Sequence, residues 1–131
     1  MSQENVELLR RAYEAFNRRD LDTMLALAHD DVVVESRLVA IEGGYRGLEG
    51  VRRWWTNMFD VLPDYRIEAE EVRDLGDMTL ARIRARGHGA DSATPLEETV
   101  WQAVRWQDGK YIWWRTFQRE AEALQAAGLR E

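Results

Sequence analysis

Residues Glu98 to Phe117 read E-T-V-W-Q-A-V-R-W-Q-D-G-K-Y-I-W-W-R-T-F. Two runs of β-branched and aromatic residues flank Asp108-Gly109, a pair suited to a tight hairpin turn because glycine tolerates positive φ. Side chains alternate between the faces of a strand. Counted from Gln102 and Thr116, one face carries Glu98, Val100, Val104, Trp106, Ile112, Trp114 and Gln118. The other carries Thr99, Trp101, Ala103, Arg105, Tyr111, Trp113, Arg115 and Phe117. Both faces are rich in apolar side chains, so each needs a cover.

The rest of the chain supplies one of those covers. Val6, Leu9, Ala12, Tyr13 and Phe16 recur at three- and four-residue spacing and predict an amphipathic helix over about 3–18. Asp20 is placed to cap a second helix over 21–28, and a short strand V-V-V-E-S-R follows. Residues 39–47 read as a loop. A third helix runs over about 48–62, with Val51, Trp55, Met58 and Leu62 as its seam and Trp54 and Phe59 widening it, and Pro63 ends it. Strands are expected at about 65–73 and 78–90, turned by Leu75-Gly76-Asp77, and A-E-A-L-Q-A-A-G-L forms a short last helix. Helices first and antiparallel strands later indicate a single α+β domain over 1–131, with three helices over the concave face of a curved sheet. A cone closed in this way has a pocket at its wide end.

Composition narrows the function classes. The chain has 131 residues, 45% of them hydrophobic, which suffices for one sizeable core. A net charge of −6 argues against nucleic-acid binding on a basic surface. Two distant histidines and no cysteine leave no pattern for a metal site or thiolate chemistry. The sequence shows neither a long apolar span nor a signal-peptide core, and a cytoplasmic protein without membrane attachment or cofactor is expected.

The segments N-R-R-D-L-D-T-M-L-A-L-A-H-D-D-V-V-V-E, Y-R-G-L-E-G-V-R-R-W, W-Q-D-G-K and A-E-A-L-Q-A-A-G-L, in this order, resemble the nuclear transport factor 2-like superfamily. Within it the chain is most similar to the SnoaL-like group, named for a polyketide cyclase. The resemblance implies a cone-shaped α+β fold, a homodimer and a cavity for a small apolar molecule. It implies no single activity, since the group includes isomerases, cyclases, epoxide hydrolases, dehydratases and proteins without a known reaction. The general-base Asp of ketosteroid isomerases falls on Ser36, their helix-1 Tyr on Ala12 and their protonated Asp on Gln102. The last-strand acid of the cyclases falls on Thr116, and the Arg-x-Asp of the epoxide hydrolases on Arg82-Ile83-Arg84.

The expected cavity wall is therefore aromatic, formed by Phe16, Trp54, Trp55, Phe59, Ile83, Val100, Val104 and Trp114, with Ser36, Gln102 and Thr116 as its polar groups. Glu98 at the rim is the candidate general acid or base, and Gln102 the candidate donor to a carbonyl. Glu35 and Arg37 are expected to face away from Ser36. His88, between two glycines, points outward unless a bulge re-aims it, and His29 reads as a helix end. On the convex face Trp101, Trp113 and Phe117 are expected to be covered by a second copy, with Arg82, Arg84 and Arg86 stacking on their rings. Two alternatives to an enzyme remain open: a ligand binder without turnover, and a protein-interaction module using the convex face.

Overall fold

A computed structural model describes residues 2–91 and 95–128. Helices α1 (Ser2–Asn17) and α2 (Leu21–Ala26) precede strand β1 (Ala28–Glu35) and the two-residue strand β2 (Tyr45–Arg46). Helix α3 (Gly47–Val61) is followed by strands β3 (Arg66–Asp74), β4 (Met78–His88), β5 (Pro95–Gln107) and β6 (Lys110–Phe117), and by helix α4 (Glu120–Ala126). One six-stranded sheet results, ordered β2-β1-β6-β5-β4-β3, in which only β1 and β6 run parallel.

The central hairpin closes at Gln107↔Lys110 through Asp108 (φ 56°) and Gly109 (φ 77°). Positive φ at both turn residues matches the right-handed twist of the flanking strands. The register then departs from strict alternation. Arg105 pairs with Trp113, but Trp106 pairs with Tyr111, which leaves Ile112 as an extra residue on β6. The bulge turns Tyr111 into the main core, where it meets Trp114 edge-on at 5.1 Å and donates from its hydroxyl to the Met24 carbonyl at 2.8 Å. Simple period-2 counting puts Tyr111 outside and Ile112 inside. The added residue reverses that assignment.

The main core lies on the concave side. Leu9, Tyr13 and Phe16 of α1, Met24 of α2 and Val51, Trp54 and Met58 of α3 pack on Val32, Ile83, Val100, Val104 and Trp114 of the sheet. Two side-chain clamps set the helix positions. Asn17 donates to the Ile67 carbonyl at 2.8 Å and accepts from the Ile67 N–H at 3.0 Å, tying the end of α1 to β3. Asp20 caps α2 by accepting from the Thr23 backbone and hydroxyl. Where α3 crosses β2, a Cβ on Gly50 would sit 2.7 Å from the Tyr45 carbonyl carbon, so no larger residue allows this approach.

The convex side departs from expectation. Helix α4 folds back over it, and Ala123 and Leu124 pack with Met78, Leu80, Ala103 and Phe117 in a second core. Phe117 is thus buried within the single chain, while Trp101 and Trp113 are half-buried at the margin. The arginine row does not stack on these rings. Arg82, Arg84 and Arg86 instead pair with Glu70, Glu71 and Glu97, and it is Arg115 that lies over Phe117, 4.8 Å from its centroid. Carboxylates on the adjoining strands offer guanidinium groups a stronger partner than an aromatic face does.

If α4 is part of the fold and not an appendage, Leu124→Ala should lower unfolding stability by about 2–3 kcal/mol with an unchanged urea m-value. A loss below about 0.5 kcal/mol, within the range of ordinary surface substitutions, would show that the helix is not docked.

Candidate functional site

The concave core is not filled evenly. Phe16 of α1, Trp54 and Met58 of α3, Val34 and Glu35 at the end of β1, the segment Ser36–Leu38, Tyr65, Ile67, Gln102, Trp114 and Thr116 line a cavity of about 30 Å³. That is room for about two waters. Beyond it lies an open groove of about 510 Å³, between the Ala40–Gly44 loop and the start of α4. Glu35, Ser36, Arg37 and Thr116 line both spaces and form the partition between them.

The deep polar group is a three-member relay. The Tyr13 hydroxyl donates to Gln102 Oε1 at 2.8 Å, and Gln102 Nε2 donates to Thr116 Oγ1 at 3.2 Å. Burial pushes the Tyr13 phenol far above its ordinary range, so it remains a proton donor. With its oxygen held by Tyr13, the amide of Gln102 keeps a second N–H beyond the one given to Thr116. The ketosteroid isomerase comparison placed the helix-1 hydroxyl at Ala12. Ala12 is fully buried core, and its neighbour Tyr13 supplies the hydroxyl that reaches Gln102. A helix turns about 100° per residue, so a shift of one position redirects the side chain.

The second polar group sits at the mouth. Arg37 Nη2 is paired with Glu98 Oε2, both side chains being only a quarter exposed or less (24% and 20%). Arg37 Nε is buried and has no acceptor among the described residues. An unmet buried donor of this kind costs about 1–3 kcal/mol. Tyr65 lines the cavity beside this pair. Burial first, and then the negative charge of Glu98, push its phenol up to about 12, with Arg37 acting in the opposite sense. Neither Tyr65 nor Arg37 stood among the expected site residues. Tyr65 follows Pro63-Asp64 in what reads as a strand start, and strand β1 ends at Glu35, so alternation no longer governs Ser36 and Arg37. Ser36 and Arg37 both line the cavity, against the expectation that Arg37 faces away, while the Glu35 carboxylate does turn away, accepting from Trp113 Nε1 at 2.7 Å and pairing with Arg115.

Phe16, Ser36, Trp54, Gln102, Trp114 and Thr116 are brought together as cavity lining. Ile83, Val100 and Val104 are on the same face but are fully packed core and do not line the cavity. Trp55 and Phe59 lie to the side of the lining, grouped with Phe16, and the Arg19 guanidinium caps Phe59 at 3.9 Å. They turn away because α3 presents Trp54 and Met58, four residues apart, to the sheet. Ser36 Oγ is spent locally, accepting from the Val39 N–H at 3.3 Å. Glu98 does not line the cavity itself and reaches it through Arg37. His88 stays outside, bound to Asp64 Oδ2 at 2.8 Å through Nδ1, and its bonds hold the Asp64 carboxyl below the usual range. His29 is in β1 and not at a helix end. Its Nδ1 accepts from the Asp31 N–H at 3.0 Å. Among the described residues no three His, Asp or Glu side chains converge as a metal site.

The raised phenols give a pH test. A group whose folded pKa exceeds its unfolded value near 10 favours the fold below pH 10 and loses that contribution as pH climbs through the folded value. For Tyr65 the window runs from about 10 to about 12. Stability should therefore fall across that interval, and Tyr65→Phe should flatten part of the decline when unfolding is followed by circular dichroism. An identical decline in the variant would show that Tyr65 is not the group responsible.

Comparison with known proteins follows the same architecture. A comparison with curated proteins finds no match. Among solved structures, a nuclear transport factor 2-like protein of unknown function from Burkholderia pseudomallei K96243 superposes with a TM-score of 0.80 at 20% identity, over 93% of this chain and 95% of that one. A candidate SnoaL-like polyketide cyclase from Jannaschia sp. CCS1 gives 0.79 at 17%, over 96% and 92%. IdmH, a candidate polyketide cyclase from Streptomyces antibioticus, gives 0.73 at 24%, over 95% and 98%. At these identities the likeness is one of fold. The model of the SnoaL-like domain matches residues 9–114, most of the length, and the chain belongs to that family.

Proposed function

We propose that the protein takes an elongated, mostly apolar molecule end-on into the cone and performs cofactor-independent acid–base chemistry on its outer end. The reaction class is isomerisation, cyclisation, elimination or hydrolysis of a polyketide-, steroid- or terpene-like compound. The carrying observation is the spacing of two polar groups in an aromatic enclosure. Gln102 and Glu98 lie on the same face of β5, four residues apart, which separates their Cα atoms by about 13 Å. They cannot serve one carbonyl and its neighbouring carbon together. Gln102, oriented by Tyr13, therefore receives a ligand oxygen at the deep end and polarises or simply anchors it. Glu98 at the mouth accepts a proton from the other end once Arg37 shifts to the ligand, and Tyr65 returns a proton to the developing oxyanion.

Entry requires movement, because about 30 Å³ holds no such molecule. Displacement of the partition residues Ser36 and Arg37 would join the cavity to the groove outside. The same small volume favours a second reading, a module of this family that binds without turnover. The relatives support the class of ligand only: two of the similar structures are candidate polyketide cyclases.

Trp54 and Trp114 line the cavity, so tryptophan emission reports entry. Titration with steroid-, polyketide- and terpene-like compounds should give a saturable change for at least one class. Gln102→Ala should weaken that binding about fivefold, the worth of one hydrogen bond. Turnover of the bound compound, abolished in Glu98→Gln, supports the enzyme, and binding without turnover supports the second reading. No response from any compound sinks both.

We also propose that two copies pair over the convex face, centred on Trp101 and Trp113 beside α4, with Phe117 contributing from below. The support is the half-buried state of the two indoles next to an apolar layer. Light scattering at micromolar concentration should give twice the 15.3 kDa chain mass. A single-chain mass there would remove the pairing.

A further inference from the structure

Hydrogen-bond bookkeeping at the cavity mouth specifies the kind of ligand end that fits it, and this inference rests on the cavity reading above. The polar groups facing that end divide unequally into donors and acceptors. Arg37 Nε carries a buried N–H with no acceptor among the described residues. Tyr65, whose phenol is pushed up to about 12 and so stays protonated at neutral pH, lines the same cavity and adds an O–H donor. Of the two carboxylates nearby, Glu98 is paired through Oε2 with Arg37 Nη2, and Glu35 accepts from Trp113 Nε1 and pairs with Arg115. Ser36 Oγ is occupied by the Val39 N–H, and the Tyr45 hydroxyl donates to the Val39 carbonyl. Among the described residues the one buried polar side-chain atom left without a partner is thus a donor, Arg37 Nε, while both carboxylates nearby are already paired.

Charge adds a second constraint. The Arg37–Glu98 pair is neutral as a unit. A carboxylate arriving at Arg37 would place two negative charges on one guanidinium with only partial access to water. An ammonium would face the guanidinium itself, and a hydrocarbon would leave the buried Arg37 Nε–H unmet. We infer that the ligand presents an uncharged oxygen acceptor at the mouth, as in a ketone, quinone or ester, taken by Arg37 Nε–H and Tyr65 O–H. Arg37 and Tyr65 are then the residues that set specificity at this end, while Gln102 serves the deep end.

A matched series on one apolar frame tests this: 2-acetylnaphthalene, 2-naphthoate, 2-(aminomethyl)naphthalene and 2-ethylnaphthalene, titrated against tryptophan emission. The ketone should bind about tenfold tighter than the hydrocarbon, and the two charged compounds should bind more weakly than the ketone. Tyr65→Phe and Arg37→Lys should each remove several-fold of the ketone's advantage and leave the hydrocarbon's affinity unchanged. The lysine keeps a cation beside Glu98 while deleting the Nε–H, and thermal melts verify that both variants fold. Equal binding of ketone and hydrocarbon, or tighter binding of the naphthoate, overturns the inference and leaves the cavity reading standing. Absence of binding by all four compounds overturns the two together.

Discussion

Two-sided burial of the β5–β6 hairpin is the constraint on which this structure depends. A strand pair that is apolar on both faces can only sit in the middle of a layered fold. Here β1 and β4 flank it, α1 and α3 cover the concave side, and α4 covers much of the other. The parallel pairing of β1 with β6 is the topological step that matters for the site. It carries the N-terminal half of the chain to the far edge of the hairpin and leaves the segment after Glu35 hanging over the open end of the cone. Ser36 and Arg37 occupy the mouth for that reason.

The cavity follows from an imbalance in how the concave layer is filled. Near the hairpin turn, Trp106, Tyr111 and Trp114 interlock edge-to-face with 5.1–6.2 Å between centroids, and the bulge at Ile112 brings the phenol of Tyr111 into that stack. Toward the other end the filling thins to Val100, Ala85 and Ile83 below and Phe16, Trp54 and Met58 above. The polar groups stand where packing is loosest. Tyr13 and Gln102 satisfy each other at the bottom, and Arg37 and Glu98 at the top. A buried polar group persists only with a partner, so the unmatched Arg37 Nε–H is the place where a ligand changes the energetics most.

The family relationship and these polar pairs bear on different questions. SnoaL-like membership accounts for the cone and the enclosure. Ser36, Gln102 and Thr116 stand where the resemblance puts the acids of the ketosteroid isomerases and cyclases. On the same face of β5 as Gln102 stands an acid, Glu98, ion-paired with Arg37.

Periodicity, turn chemistry and the run of aromatic residues were enough to determine the order of the helices and long strands, the hairpin turn, the antiparallel strands and the shared face of Gln102, Val104, Trp114 and Thr116. Those features are local: they rest on 3.6- and 2-residue repeats and on the φ tolerance of glycine. The inward direction of the shared face came from the family resemblance, and β2 lay in a stretch read as loop. Tertiary structure decided the rest. A single extra residue in β6 exchanged the roles of Tyr111 and Ile112, since a bulge is set by pairing and not by pattern. Helix α4 took the convex face that a second copy was expected to cover alone. Tyr13 reached Gln102 across 89 residues, and Arg37 reached Glu98 across 61. Contacts at such separations depend on where the sheet's curvature brings side-chain tips, and no repeat in the chain encodes that.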